Sequence, residues 1–264
     1  MSGWDKPGWN LVWHDEFTAG SVPRTSDWWY LFCWGDQNDP QNDPAFLQGD
    51  TRTAGIGGSV IDLQTITNGM LQLQATNSSC LYGGLTFPYS ACNVRTKISQ
   101  LYGYFEVRAK FAAGQGIFPA IWLMPPVYDP NVAWEIDVLE MLGNSPTTLY
   151  QNVHWGVFAE GHQQLQQLST FDSSAAFHTY AVDWDSTRII WYYDDVEVYR
   201  LTSAQIPIPN VPMQLLLDNE VGSDWGGFPD GTTPWPSNML VEYVRIYSKT
   251  GQAGFFGPNA LGGF

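Results

Sequence analysis

Residues 103–111 read Gly-Tyr-Phe-Glu-Val-Arg-Ala-Lys-Phe. Phe105, Val107 and Ala109 fall on one side of a two-residue period, and Glu106, Arg108 and Lys110 fall on the other. Successive side chains of a β-strand point to opposite faces, so this alternation describes a strand with one face in a core and one toward water. The same period returns at 241–248, VEYVRIYS. Working outward, short strand-like runs occur at 59–63, 70–76, 93–98, 102–111, 117–124 and 134–141. They continue at 150–155, 178–184, 188–193, 196–202, 213–218 and 239–248, after a first run at 11–17. Turn residues separate them, and the chain carries 26 Gly and 17 Pro. Many short strands with such punctuation predict an all-β protein of two stacked antiparallel sheets. Only 175–176 and 203–205 suggest brief helical turns.

A chain of 264 residues fits one all-β domain, and no composition shift forces a split. We assign residues 1–250 to a single domain and 251–264 to a Gly/Phe-rich tail whose aromatics dock on the body. Residues 18–58 read as long loops, the kind of segment that carries specificity on a β scaffold. With 11 Lys and Arg against 26 Asp and Glu, the formal charge is −15, which repels nucleic acid and anionic membranes and favours a neutral partner. No apolar run is long enough to span a bilayer, and residues 1–5 lack a basic and then apolar export signal. Three cysteines cannot form a disulfide framework. Cys80 and Cys92 could close a hairpin, which leaves Cys33 over.

The densest chemistry lies at 135–140, Glu-Ile-Asp-Val-Leu-Glu, in a chain with only 14% charged residues. On a regular strand Glu135 and Asp137 share a face and Glu140 points away. One extra residue in a β-bulge between Asp137 and Glu140 brings all three acids to one face. A helix would separate Glu135 from the other two. Two carboxyl groups flanking a glycosidic bond perform glycoside hydrolysis. Three so close cannot all ionise freely, so one holds a proton near neutral pH. The reading is Glu135 as nucleophile, Glu140 as general acid and base, and Asp137 as the group that orients and tunes Glu135. The alternative is a calcium site, although these acids alternate with Ile, Val and Leu instead of turn residues.

A sugar cleft presents flat aromatic faces. Trp122, Trp134, Trp155 and Trp225 flank the acids, each with core packing as the competing role. His154, on the strand after the acids, is a further substrate or acid contact, or a structural hydrogen-bond partner.

With these residues in place the chain resembles glycoside hydrolase family 16, the β-jelly-roll group of laminarinases, lichenases and agarases. The motifs that carry it are YGYFEVRAKF at 102–111, GQGIFPAIWLMP at 114–125, EIDVLE at 135–140 and VHWG at 153–156. FHTYAVDW at 177–184, IIWYYDDVEVYR at 189–200 and VEYVRIY at 241–247 complete it. The resemblance implies two curved antiparallel sheets with a concave substrate cleft and a retaining mechanism through Glu135 and Glu140. The spacing within the acids is similar to the bulged laminarinase subgroup. It implies a secreted monomer that needs no cofactor for catalysis and holds a possible structural Ca2+ at Glu16 and Glu242, the latter standing where the family has Asp. In place of WPAFW the chain has Phe118-Pro119-Ala120-Ile121-Trp122. In place of N-L-A-V-G-G it has residues 218–223, in which Asn219 is matched with the family's Asn as a substrate ligand and Glu220 is an addition. The expected activity is an endo-β-glycanase on β-1,3- or mixed β-1,3/1,4-glucan. The alternatives are a galactan or bacterial exopolysaccharide hydrolase, of agarose, carrageenan or succinoglycan type, and a non-catalytic carbohydrate-binding jelly roll.

Overall fold

The alternating stretch forms the strand Gly103–Lys110, with Phe105, Val107 and Ala109 at 1% exposure or less in one continuous hydrophobic core. The computed structural model describes residues 4–30, 63–82, 85–126, 134–157, 161–251 and 255–256. In chain order the strands are β1 Trp9–Asp15, β2 Trp28–Trp29, β3 Gln64–Thr67, β4 Met70–Ala75, β5 Cys80–Tyr82, β6 Leu85–Phe87 and β7 Cys92–Thr96. Then come β8 Ser99–Gln100, β9 Gly103–Lys110, β10 Ile117–Met124, β11 Glu135–Met141, β12 Thr148–Trp155 and β13 Gln163–Thr170. The last are β14 His178–Trp184, β15 Arg188–Tyr193, β16 Val196–Thr202, β17 Gln214–Val221, β18 Ser237–Lys249 and β19 Phe255–Phe256.

Most of these strands build two antiparallel sheets, while β5 pairs with β6 and β8 with β19 as separate two-stranded ribbons. One sheet has the order β16-β15-β14-β9-β18-β4-β3, with β1 also pairing β18. The other runs β13-β12-β11-β10-β17-β7-β2 and carries the acids of 135–140 near its middle. Inward side chains of both sheets, among them Trp184, Trp191, Val138, Leu139, Leu215 and Leu217, fill the space between them. This is the sandwich that the alternation predicted.

Several expectations meet the structure differently. β13, QQLQQLST, was not read as a strand: its glutamines carry no apolar period, because it is an edge strand with exposed positions along its length. Most of the run at 59–63 and of the loops at 18–58 lies outside the described residues, as does Cys33; the described part of 18–58 contains β2, and β3 begins just after the run, at Gln64. Residues 203–205 form a single hydrogen-bonded turn, in which the Ile206 N–H donates to the Thr202 carbonyl at 3.3 Å, and 175–176 lie in a turn without helix. Cys92 is a free, buried thiol whose Sγ lies 3.4 Å from the Leu63 carbonyl, so the Cys80–Cys92 bridge does not form. Of the tail, Phe255 and Phe256 are described, and their backbone pairs with Gln100 and Ser99. No described helix is long and apolar enough to cross a membrane.

The calcium ligands expected on the outer face are engaged otherwise. Glu16 takes a bidentate pair from Arg245, at 2.9 and 2.8 Å. Glu242 accepts from Arg108 Nε at 2.5 Å. Each carboxylate is answered by its own guanidinium, so this donor set does not fit a hard dication, which needs several uncommitted oxygens.

Candidate active site

The register of β11 explains how three acids reach one face. Against β12, Asp137 pairs with Asn152 and Glu140 with Tyr150, so Val138 and Leu139 together oppose only Gln151. Against β10, Trp122 faces Asp137 and Ile121 faces Leu139. This is the bulge that the spacing required. Val138 and Leu139 turn into the core at 1% and 0% exposure, which leaves Glu135, Asp137 and Glu140 toward the open face.

The opposite sheet fixes the bulge. Trp191 Nε1 of β15 donates to the Asp137 carbonyl at 2.8 Å, and the Tyr193 hydroxyl donates to the Val138 carbonyl at 3.2 Å. Gln151 Nε2 in turn donates to the Tyr193 hydroxyl. The backbone that carries the acids is therefore held from below by two aromatic side chains.

Above the bulge lies a cavity of about 180 Å3 lined by Phe118, Ala120, Trp122, Glu135, Asp137, Glu140, Asp218 and Glu220. Asp137 is 1% exposed, and its Oδ2 lies 3.2 Å from His154 Nε2, which is also 3.9 Å from Glu135 Oε1. On its other side His154 meets His162, Nδ1 to Nε2 at 3.1 Å, with the rings stacked. Asn152 Nδ2 donates to Glu140 Oε2.

Burial, followed by the charge of Asp137, raises the Glu135 carboxyl to about 8, with His154 pulling the other way. Burial again leads for Glu140, which rises well above its ordinary value; Asp137 and Glu135 add to the rise and the Asn152 amide opposes it. Burial works against a charged His154, but the hydrogen bond and charge of Asp137, with Glu135 behind, outweigh it and lift the imidazole to about 9. The cluster thus retains protons at neutral pH, as expected of acids that share a small space. Glu135, Asp137 and His154 also present ligand atoms within 4.8 Å of one another, a mixed oxygen and nitrogen set closer to a transition-metal site than to a calcium cage.

Of the aromatic candidates, Trp122 is buried at 7% in the cavity wall, where its Nε1 donates to Asp218 Oδ2 at 2.5 Å. Trp225 is 43% exposed and is braced edge-on by Phe118, at 5.5 Å between centroids, and Tyr150, at 4.6 Å. That makes it a platform at the Glu140 end of the site. Trp134 and Trp155 pack against the core cluster, and neither lines the cavity.

Asn219 is a correction. Its Nδ2 donates to the carbonyls of Leu73 and Ser237, both at 3.1 Å, inside the sandwich. On β17 the cleft-facing positions are Asp218 and Glu220, and the residue between them must point inward. Sequence reasoning therefore missed Asp218, a fourth buried acid. Its carboxyl is raised to about 8, first by burial and then by Asp137 and Glu135, against the pull of the Trp122 N–H. The two-residue period was the signal that could have found it, because Glu220 in the cleft implies Asp218.

A two-sheet sandwich whose open face gathers a bulged set of carboxyls beside an exposed aromatic platform defines a glycoside hydrolase. Residues 59–236 match the family model described as glycosyl hydrolases family 16. The chain belongs to this family. It is 30% identical to a beta-glucanase of Rhodothermus marinus, over 91% of this chain and 86% of that protein. It is 31% identical to glucan endo-1,3-beta-glucosidase A1 of Niallia circulans, spanning 92% of this chain but only 38% of that longer protein. Among solved structures, the laminarinase catalytic domain of Thermotoga maritima superposes with a TM-score of 0.76 at 28% identity, covering 91% of this chain and 98% of that one.

Proposed function

We propose that the protein is a retaining endo-β-glycanase that cuts β-1,3- or mixed β-1,3/1,4-glucan. The observation that carries this reading is the bulge at Val138–Leu139, which delivers Glu135, Asp137 and Glu140 to one cavity. Glu135 attacks the anomeric carbon and forms a glycosyl ester while the leaving sugar oxygen takes the proton of Glu140. Glu140 then removes a proton from water, which attacks the same carbon and releases the sugar with its configuration retained. The raised carboxyl of Glu140 suits the first step, since burial and the neighbouring acids favour its protonated form. Asp137, paired with His154 and next to Glu135, orients the nucleophile, and the nearby His154 favours the ionised Glu135 that attacks. Trp225 offers the face on which a sugar ring stacks.

The β-glucan assignment follows from the relatives named for that activity. A polymer of this size is met outside the cell, so we place the protein there, acting as a monomer. Proton NMR of the first products from a soluble β-1,3/1,4-glucan tests the mechanism. The β-anomer appears first if the reading holds; an initial α-anomer, or full activity in Glu135→Gln or Glu140→Gln, would overturn it.

A further inference from the structure

The outer face of the other sheet carries a second cavity, of about 360 Å3 against about 180 Å3 beside the acids. A bulge in β18 builds it. Val241 pairs with Ala109 and Tyr243 with Arg108, so Glu242 is an extra residue. On a regular strand Tyr243, Arg245 and Tyr247 would share the inward face of Val241. The bulge turns all three toward the cavity, while Val244 and Ile246 enter the core. The segment before β1 forms the facing wall: Lys6 Nζ lies 3.0 Å from Glu106, 3.4 Å from Asp195 and 4.0 Å over the Tyr104 ring. Trp4 stands at the rim, 38% exposed.

The lining decides what this cavity takes. Lys6 and Arg245 stand against a metal cation, Glu106 and Asp195 against an anion, and the charged walls against an apolar molecule. An uncharged ring with hydroxyls at its edge and a flat face meets none of these objections, and the means to bind it are present. Arg245 gives Nε and Nη2 to Glu16 and keeps Nη1, which is 4.0 Å from Glu106. Asp195 meets Lys6 through Oδ1 with its side chain 77% exposed, so its other oxygen can accept from a hydroxyl. Trp4 packs against His14, with ring centroids 4.5 Å apart, and its exposed remainder offers the flat face. A volume of about 360 Å3 falls within the range of small-ligand sites, about 300–1,000 Å3.

We propose that this cavity is a second carbohydrate site, which holds a segment of neutral β-glucan on the sheet opposite the cleft, with Trp4 as its stacking platform and Arg245 and Asp195 as hydroxyl ligands. The identity of the occupant rests on the glycanase reading, but the site is tested apart from hydrolysis. A polymer held on the outer sheet is concentrated at the cleft, an advantage that a short oligosaccharide does not share. Binding of a short β-1,3-glucan oligosaccharide to Glu135→Gln is followed by calorimetry and by NMR of the indole N–H groups. A second equivalent should bind, with the Trp4 signal following one isotherm and the Trp225 signal the other. Adding Trp4→Ala or Asp195→Ala, two exposed positions on separate segments, should weaken the outer isotherm by about tenfold or more. The cleft isotherm persists in both and serves as the check on folding. With Glu135 intact, Trp4→Ala should lower kcat/KM on the polymer relative to the oligosaccharide by about threefold or more. A single equivalent, a stationary Trp4 signal, or an outer isotherm that neither variant moves would overturn the site. A second equivalent bound by a protein that, with Glu135 intact, hydrolyses no β-glucan would instead overturn the glycanase reading and leave the outer site standing.

Discussion

Asp137 touches both ends of the proposed chemistry, because its charge raises the Glu135 and Glu140 carboxyls and its Oδ2 holds His154. Asp137→Asn removes that charge while keeping the shape. Glu140 should then release its proton at lower pH, so the alkaline limb of the kcat/KM profile moves toward acid. The maximum should fall by about 10²-fold or more as the nucleophile loses its orienting partner. A pH–rate series reads both effects, and an unmoved limb would contradict the coupling. Asp218 gives a prediction of opposite sign for stability. Its folded-state carboxyl, raised to about 8, disfavours the ionised form, so the stability it contributes is full below the ordinary carboxylate range and is lost as pH rises toward 8. Asp218→Asn should therefore raise the melting temperature at pH 9 by a few degrees, at about 2–4 °C per kcal/mol, and leave it nearly unchanged at pH 4. The acids of β11 were legible because three carboxylates in six positions stand out from an apolar run. Asp218 was not, because an asparagine next to it matched a family motif by identity, and only strand parity tells which neighbour faces the cleft.

The bulge of β11 depends on donors that arrive from the other sheet. Trp191→Phe keeps the aromatic volume but leaves the Asp137 carbonyl without its indole N–H. The cost should be about 1–3 kcal/mol of stability, together with a drop in kcat larger than any change in KM, since the acids lose their aim while the outer sugar contacts stay. Urea denaturation and steady-state kinetics measure the two parts. Deleting Val138 should restore a regular pairing with β12 while keeping Glu140 on the cleft face, two positions after Asp137, whereas deleting both Val138 and Leu139 should turn Glu140 toward the core and abolish hydrolysis. The need for a bulge could be read from the spacing between Asp137 and Glu140. What holds it could not, because Trp191 is 54 residues away and reads in sequence only as one more core aromatic. β13 escaped notice for the reverse reason: pairing with β12, not any apolar pattern of its own, makes it a strand.

Across the whole molecule, the raised carboxyls Glu135, Glu140 and Asp218 hold protons in the folded chain that the unfolded chain releases. Their contribution is complete below about pH 4, the ordinary carboxylate range, and declines as pH climbs to about 8 for Glu135 and Asp218. Surface acids held below their usual range, such as Asp185 and Asp194, act oppositely and lose their contribution in strong acid. Melting temperatures taken across pH 4 to 9 should therefore peak on the acid side and fall through neutrality; a flat profile would contradict the buried cluster. Chelation should leave the melting temperature unchanged, because Glu16 and Glu242 are each neutralised by a guanidinium, Arg245 and Arg108. The sandwich itself was legible from alternation and turn spacing, whereas the pairing of outer-face acids with arginines depends on neighbours brought together only by the sheet. The tie between the bulge and the second sheet has one more consequence. The positions of the acids are a measure of the gap between the sheets, so the reaction centre is not a soft region that fails ahead of its scaffold. Heat inactivation and loss of the aromatic near-UV signal should trace the same curve, and a substitution that tightens the far sheet should extend working life at high temperature without touching the cleft.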